Sequence, residues 1–436
     1  MRKTTSRFCA IAAASLLATS ASTAAAFEYD EDLIDHDAQH VPTALGDSGW
    51  VASLVDPHGG FVYDGIAQNF TDDFTNDPGL DGLTITGINA SGGYVGYAYG
   101  QGSFSGQLPT LGSGPSPALP VPGLSGCFPL ALDVADDGTV AGASFCSNSP
   151  QAYIVSGGTP QALPTTDPDS EAADISPSGA YVAGWQGTLA GYPYSPQPTY
   201  YSAGITGKHI YGNTNTTQAF RYDTAQQVLE PLTHSLGGLP AGAQVLATTA
   251  HGVNDDGATV GYVTYSINGA TAHELPVIWP SPQVGWVLPP VTTAHAHEGC
   301  RARAINSDWQ VVGTCYRHQP FGEQRVAGFV WDIHNGSRDL HALTDSPTDR
   351  YTEAVDINDY GQITVAVNKT PWVNAMDPGV ALLTPKTMSP SNCNINNVCH
   401  TMYANQCAAH GGQFGHIYQC SLDPDPGGPV LMRQAD

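Results

Sequence analysis

A short motif occurs seven times along the 436-residue chain, and nothing else in the sequence constrains its fold as strongly. The first four copies are Leu45-Gly-Asp-Ser-Gly49, Ile88-Asn-Ala-Ser-Gly92, Val134-Ala-Asp-Asp-Gly138 and Ile175-Ser-Pro-Ser-Gly179. The last three are Val253-Asn-Asp-Asp-Gly257, Ile305-Asn-Ser-Asp-Trp309 and Ile357-Asn-Asp-Tyr-Gly361. The first position is aliphatic in all seven, and the last is Gly in all but the sixth, where Trp309 stands. Three residues before the aliphatic position, five copies carry Ala: Ala131, Ala172, Ala250, Ala302 and Ala354. Four residues after the Gly position lies a second glycine column of Gly96, Gly142, Gly261 and Gly313.

The motif reads as a hairpin. An apolar residue ends one strand, Asn, Asp and Ser turn the chain, and Gly takes the left-handed position that closes the loop with a bulge. Trp309 is a poor occupant of that backbone region, so a different turn is expected there. A looser pattern follows each hairpin, as in Gln218-Ala-Phe-Arg-Tyr-Asp223 and Ala327-Gly-Phe-Val-Trp-Asp332, and then a short apolar strand such as Val228-Leu229. That makes about four strands per repeat. Successive motifs are 43, 46, 41, 78, 52 and 52 residues apart. Four-stranded units of this period are blades of a β-propeller. The expected fold is therefore all-β: a seven-bladed propeller over residues 27–387, with the Ala column on crowded inner strands. The seventh copy is short, so residues from about Phe27 to Pro42 are expected to complete its blade and close the ring.

The Ala-x-x-Ile-Asn-x-x-Gly-x-Val-x-Gly hairpin with its Ala-Phe-x-Trp strand resembles the HAF-type "probable extracellular repeat" family of exported bacterial proteins. The resemblance covers roughly residues 40–385 and is best at 218–365. It implies a propeller-like repeat array outside the cytoplasm. It carries no catalytic residues. Trp309 and Val365 depart from its two glycine columns.

Export is also expected from the first residues. Arg2, Lys3 and Arg7 precede an apolar run from Phe8 to Leu17, and small residues lead to Ala24-Ala25-Ala26. This is the order of a secretory signal peptide over residues 1–26. The apolar core is too short to span a bilayer, and no later segment is long enough, so no transmembrane segment is expected in the mature chain. The formal charge of −25 argues against a nucleic-acid partner, because phosphate repels so acidic a chain.

Eight cysteines lie beyond Cys9, an even number that reads as disulfides in an exported chain. Cys127 and Cys146 lie symmetrically about the third turn, and Cys300 and Cys315 about the sixth. Residues placed so face each other across a hairpin, and the pairs Cys127–Cys146 and Cys300–Cys315 are expected. Cys393, Cys399, Cys407 and Cys420 fall in a tail from residue 388 to 436, where three pairings are open. That tail reads as a disulfide-stapled cap, with a short helix between Asn397 and His410.

Candidate sites are few. The long fourth interval holds an insert at 187–217 with Tyr192, Tyr194, Tyr200, Tyr201 and Tyr211, which could stack on sugars or peptides or simply pack over a blade edge. His295, His297 and Glu298 form the densest ionisable cluster, and both His would share one face of a strand toward a metal. Surface histidines are the plainer reading. No cofactor is expected. Ca²⁺ could bind Asp-rich stretches such as Asp72-Asp73, Asp77 to Asp81 or Asp345 to Asp349, although none has a calcium-loop spacing. The Asp and Asn of the repeat read as turn chemistry alone. There is no G-x-S-x-G, no H-E-x-x-H and no phosphate loop. The leading expectation is a non-catalytic binding protein with a protein or glycan partner at its loops. A propeller-type glycan hydrolase or lyase with acidic groups at the axial mouth is the alternative, and an envelope component is a third.

Overall fold

The computed structural model describes residues 29–414, except 36–39, 56–58, 65–68, 71–82, 99–101, 108–118, 147–148, 168, 188–216, 270–272, 292–296, 298, 320–321, 345–349, 369–378, 389–390, 396–397 and 410–412. Each motif joins the first two strands of one sheet, and the described residues form seven such sheets. The third is typical: Phe128–Val134, Val140–Cys146, Ser149–Ser156 and Thr159–Ala162 pair antiparallel in chain order. The fifth sheet gains Leu236–Gly237, which runs parallel to Val284–Val287. In the seventh, the fourth strand comes from the other end of the chain. Tyr29–Asp35 pairs with Gly379–Pro385, from Tyr29 opposite Pro385 to Asp35 opposite Val380. That strand is shorter than the sequence interval suggested, because His40–Leu45 already opens the first sheet.

The turn follows the sequence reading closely. In the third copy Ala135 N–H donates to Thr139 O (2.9 Å) and Gly138 N–H to Ala135 O (3.0 Å), with Gly138 at φ 82°. Trp309 corrects one expectation. It takes the same turn at φ 62°, with Asn306 N–H on Gln310 O at 3.1 Å. The left-handed backbone costs a non-glycine residue roughly 1–2 kcal/mol. Here the indole packs on a buried cluster that includes Ala258, Ile305 and Val311, and its Nε1 donates to Asp256 Oδ2 (3.0 Å), which offsets that cost.

The bulge lies elsewhere than the closing glycine. In every copy the pairing slips within the first strand, just before the aliphatic position: at Ala131/Asp133 in the third, Ala250/Gly252 in the fifth and Ala302/Ala304 in the sixth. The slip swings a carbonyl toward the partner strand. A Cβ placed on Gly142 would fall on Leu130 O, and one on Gly261 would fall on Thr249 O. Steric exclusion accounts for glycine at these positions, whereas Ser53 and Val365 stand at the same register in the first and seventh copies. The fourth turn is one residue longer, with Ser176 N–H donating to Tyr181 O (2.9 Å), and Gly184 fills the column there.

All five column alanines are fully buried. Apolar clusters join neighbouring sheets. Ala258, Val260 and Ile278 of the fifth pack with Ala302, Val311 and Phe329 of the sixth. Val312 and Val330 of the sixth pack with Tyr351, Ala354 and Tyr29 of the seventh. Ile34, Val380 and Leu382 of the seventh pack with Leu45, Val51 and Tyr63 of the first. Burying such a side chain contributes about 1.5–3 kcal/mol, so face-to-face contact between sheets is the main cohesive force.

Cys127 is bonded to Cys146 and Cys300 to Cys315, the latter two directly opposite in register. In the tail, Cys393 is bonded to Cys407. Cys399 stands opposite Asn394 in the strand pair Ser391–Ile395 and Val398–Met402, and Cys420 lies outside the described residues. The helix is only Ala404–Ala409, because Val398–Met402 is drawn into that hairpin. Among the described residues no helix is long and apolar enough to cross a membrane.

Candidate functional site: the central cavity

The aliphatic residue that opens each turn points to one place. Leu45, Ile88, Val134, Ile175, Val253, Ile305 and Ile357 all line a single cavity. Around it stand carboxylates from several turns, among them Asp47, Asp133, Asp136, Asp174, Asp356 and Asp359. The cavity holds about 80 Å³.

Most of these carboxylates already have work. The residue before the aliphatic position is Asp in three copies, and each accepts the backbone N–H of the aliphatic residue in the following copy. Ile175 N–H donates to Asp133 Oδ2 (3.3 Å), Val253 N–H to Asp174 Oδ2 (2.9 Å) and Leu45 N–H to Asp356 Oδ2 (3.1 Å). The Asn after the aliphatic position makes a second tier. Its Oδ1 caps its own turn, as Asn358 does for Gln362 N–H (2.9 Å). Its Nδ2 donates to the next copy: Asn89 to Ala135 O, Asn254 to Asn306 O and Asn306 to Asn358 O, each at 3.0 Å, and Asn358 to Gly46 O at 3.3 Å. A third tier includes Ala90 N–H on Asp136 Oδ1 (2.9 Å), Ser307 Oγ on Asp359 Oδ2 (2.6 Å) and Asp359 N–H on Asp47 Oδ1 (3.0 Å). The Asp and Asn of the repeat are thus more than turn formers. They join one turn to the next, and they join the seventh to the first. The sequence shows these residues at a constant place but does not say which neighbour each would reach.

Asp47 is a perturbed acid. Burial pushes its pKa up to about 6; the Asp359 N–H bond pulls the other way, and the charges of Asp359, Asp136 and Asp356 add to the rise. The tail reaches the same spot. Asn405 Nδ2 donates to Asp47 O and to Gln362 Oε1, both at 2.8 Å, so the small disulfide-bonded unit sits across the junction of the first and seventh sheets.

A second polar group is not legible in the sequence. Arg303 forms a buried ion pair with Glu353 (3.2 Å), and Arg301 pairs with Glu274, which also accepts from Tyr316 OH (2.7 Å). His251 lies beside them, fully buried. Burial first, then the charges of Arg303 and Arg301, hold its pKa well below the ordinary imidazole value. His251, Arg301, Arg303 and Glu353 sit on first strands, where an alternating polar residue is indistinguishable in sequence from a solvated face, while Tyr316 lies on a second strand and Glu274 on a third.

The other sequence candidates are scattered. Tyr192, Tyr194, Tyr200, Tyr201 and Tyr211 lie outside the described residues, between Tyr181–Gly187 and Gln218–Asp223, and Gly187 is at the sheet end opposite the turns. His295, Glu298, Asp72, Asp73, Asp77, Asp81, Asp345 and Asp349 also lie outside them. His297 is described. Its Nε2 meets Val291 O at 3.0 Å and its Nδ1 lies 3.6 Å from Cys300 Sγ.

No protein-family model and no curated protein matches the chain. Solved structures do. Regucalcin from Agrobacterium tumefaciens, a calcium-binding protein, is 9% identical over 83% of this chain and 96% of its own, with a TM-score of 0.36. A YCF48 structure with bound D1 peptide is 10% identical over 84% and 99%, TM-score 0.38. The GH74 xyloglucanase from Xanthomonas campestris is 10% identical over 93% of this chain but 63% of its own, TM-score 0.38. At such distances the function must be argued from this chain's own residues.

Proposed function

We propose that the chain is an exported, closed seven-bladed β-propeller of the HAF-repeat type that acts as a non-catalytic binding protein. One observation supports this most. The central carboxylates, where propeller chemistry is expected, are engaged by backbone N–H groups of adjoining turns around a cavity of about 80 Å³. Those bonds tie neighbouring turns together. Closure is supported by the N-terminal strand in the seventh sheet and by the bonds from the seventh turn to the first. The partner, a protein or a glycan, would then be held by loops at the sheet ends away from the turns, where the tyrosine-rich insert leaves the fourth sheet. No cofactor is needed for that role. A glycan array and an affinity capture with the mature chain test it: binding lost on deleting 188–216, with folding retained, is the expected result. Binding unaffected by that deletion would remove the insert from the reading.

A glycan-active enzyme is the second reading, favoured by Asp47, whose pKa near 6 suits an acid. Hydrolysis of a polysaccharide panel that disappears in Asp47→Asn would establish it. An unchanged trace activity would leave Asp47 as a clasp.

A further inference from the structure

Among the described residues, the sixth hairpin carries a feature that its counterpart in the third lacks. Both hairpins are crossed by a disulfide near the end away from the turn. Around Cys127–Cys146 the polar neighbours are Ser125 O, Ser144 O and Gln151 Oε1. Beside Cys300–Cys315 stands an imidazole. A ring nitrogen of His297 and both Sγ atoms lie within 4.8 Å of one another. Val291 O can only accept, so Nε2 bears the proton and, in the neutral ring, Nδ1 turns its lone pair toward Cys300 Sγ.

We propose that Cys300, Cys315 and His297 form a thiol-gated zinc site, empty while the disulfide is closed and competent once it is reduced. Zn–S bonds of about 2.3 Å and Zn–N bonds of about 2.0–2.1 Å at tetrahedral angles put N and S about 3.6 Å apart. His297 Nδ1 and Cys300 Sγ already stand at 3.6 Å. The carbonyl on Nε2 is the outer-shell partner that metal-bound histidines carry, and it holds the ring in place before metal arrives. Cys300 and Cys315 face each other in register, so only their sulfurs must part, to roughly 3.8 Å for two thiolates on one tetrahedral ion. A dithiol reductant supplies two electrons and two protons to the Cys300–Cys315 bond and leaves as its own cyclic disulfide. Zn²⁺ then releases both thiol protons to solvent as two Zn–S bonds form, and Nδ1 donates the third pair. The fourth position is left for water. Metal and disulfide are thus alternative staples for one hairpin.

The test uses the full chain, reduced with a dithiol under anaerobic conditions, with Zn²⁺ as the probe and peptide-resolved alkylation as the readout. Zn²⁺ should slow alkylation of Cys300 and Cys315 by tenfold or more. It should leave Cys127 and Cys146, the same pair without an imidazole, unchanged. His297→Ala should abolish the protection. Zn²⁺ should also raise the melting temperature of the reduced chain and not of the oxidised chain, a readout that needs no variant. Equal alkylation with and without Zn²⁺ would overturn the proposal. So would equal protection at Cys127 and Cys146, or full protection surviving in His297→Ala.

Discussion

Trp309 holds a left-handed backbone at φ 62° while its indole packs on the fifth and sixth sheets, so two opposed terms meet in one residue. Trp309→Ala keeps the backbone cost and loses the packing, whereas Trp309→Gly loses both. Urea unfolding should find both variants less stable than the parent, with Ala about 1 kcal/mol below Gly. Equal values would mean that the turn stores no strain. Asp47 supplies a pH signature. Its folded pKa, near 6, is above the unfolded value of 3.8, so the folded state binds the extra proton between those values. The stability it lends is full below pH 3.8 and lost as pH rises through 6. Asp47→Asn should therefore be more stable than the parent by about 1 kcal/mol at pH 8, once solvent screening at a half-buried site is allowed for. Thermal melts should show that gain fading as pH falls from 6 towards 4 and absent below it. A constant gain at every pH would place its origin outside this ionisation.

At the scale of the strand pair, the repeat is a hairpin with a bulge, and the bulge dictates composition on both sides. Gly261 faces Ala250 where the slip brings Thr249 O close. Gly261→Ala sets a methyl against a backbone oxygen that cannot retreat without breaking the pairing, and should cost about 2–3 kcal/mol in chemical denaturation. Ala at Gly138, where nothing lies within 4 Å, meets only the backbone penalty and should cost about 1 kcal/mol. If both cost the same, the second glycine column has another cause. Both glycine columns were plain in the sequence, but their reasons differ. The first is a dihedral requirement that turn chemistry predicts. The second is a clash with an atom whose position depends on an unseen bulge.

At the scale of the whole molecule, an N-terminal strand completes the seventh sheet and hydrogen bonds join that sheet's turn to the first. Tyr29 is almost fully buried in the seventh sheet, and the bonds from Asn358 and Asp359 reach Gly46 and Asp47. Removing residues 27–35 exposes the edge of Gly379–Pro385 along with the cluster of Val380 and Leu382. Limited proteolysis should then cut the seventh sheet first, and the melting temperature should fall by several degrees. Asn405→Ala removes the tail's grip on the same junction and should give a milder form of the same pattern. Cutting that begins elsewhere would show that the junction is not the weak point.

Local periodicity was enough to read the all-β class, the number of hairpins, the two hairpin disulfides and the small inner side chains, because each depends on residues a few positions apart. What the turns do for one another was not legible. Asp133 and Ile175, or Asn358 and Gly46, are strangers in sequence, and a hydrogen bond between them exists only after seven sheets have been set side by side. His297 lies three residues from Cys300 in sequence, but only register brings the sulfur of Cys315 within its reach as well. Periodic pattern encodes what a strand is made of; only packing at long range decides which polar atoms end up neighbours, and in this protein that is where carboxylates become clasps and a disulfide acquires an imidazole.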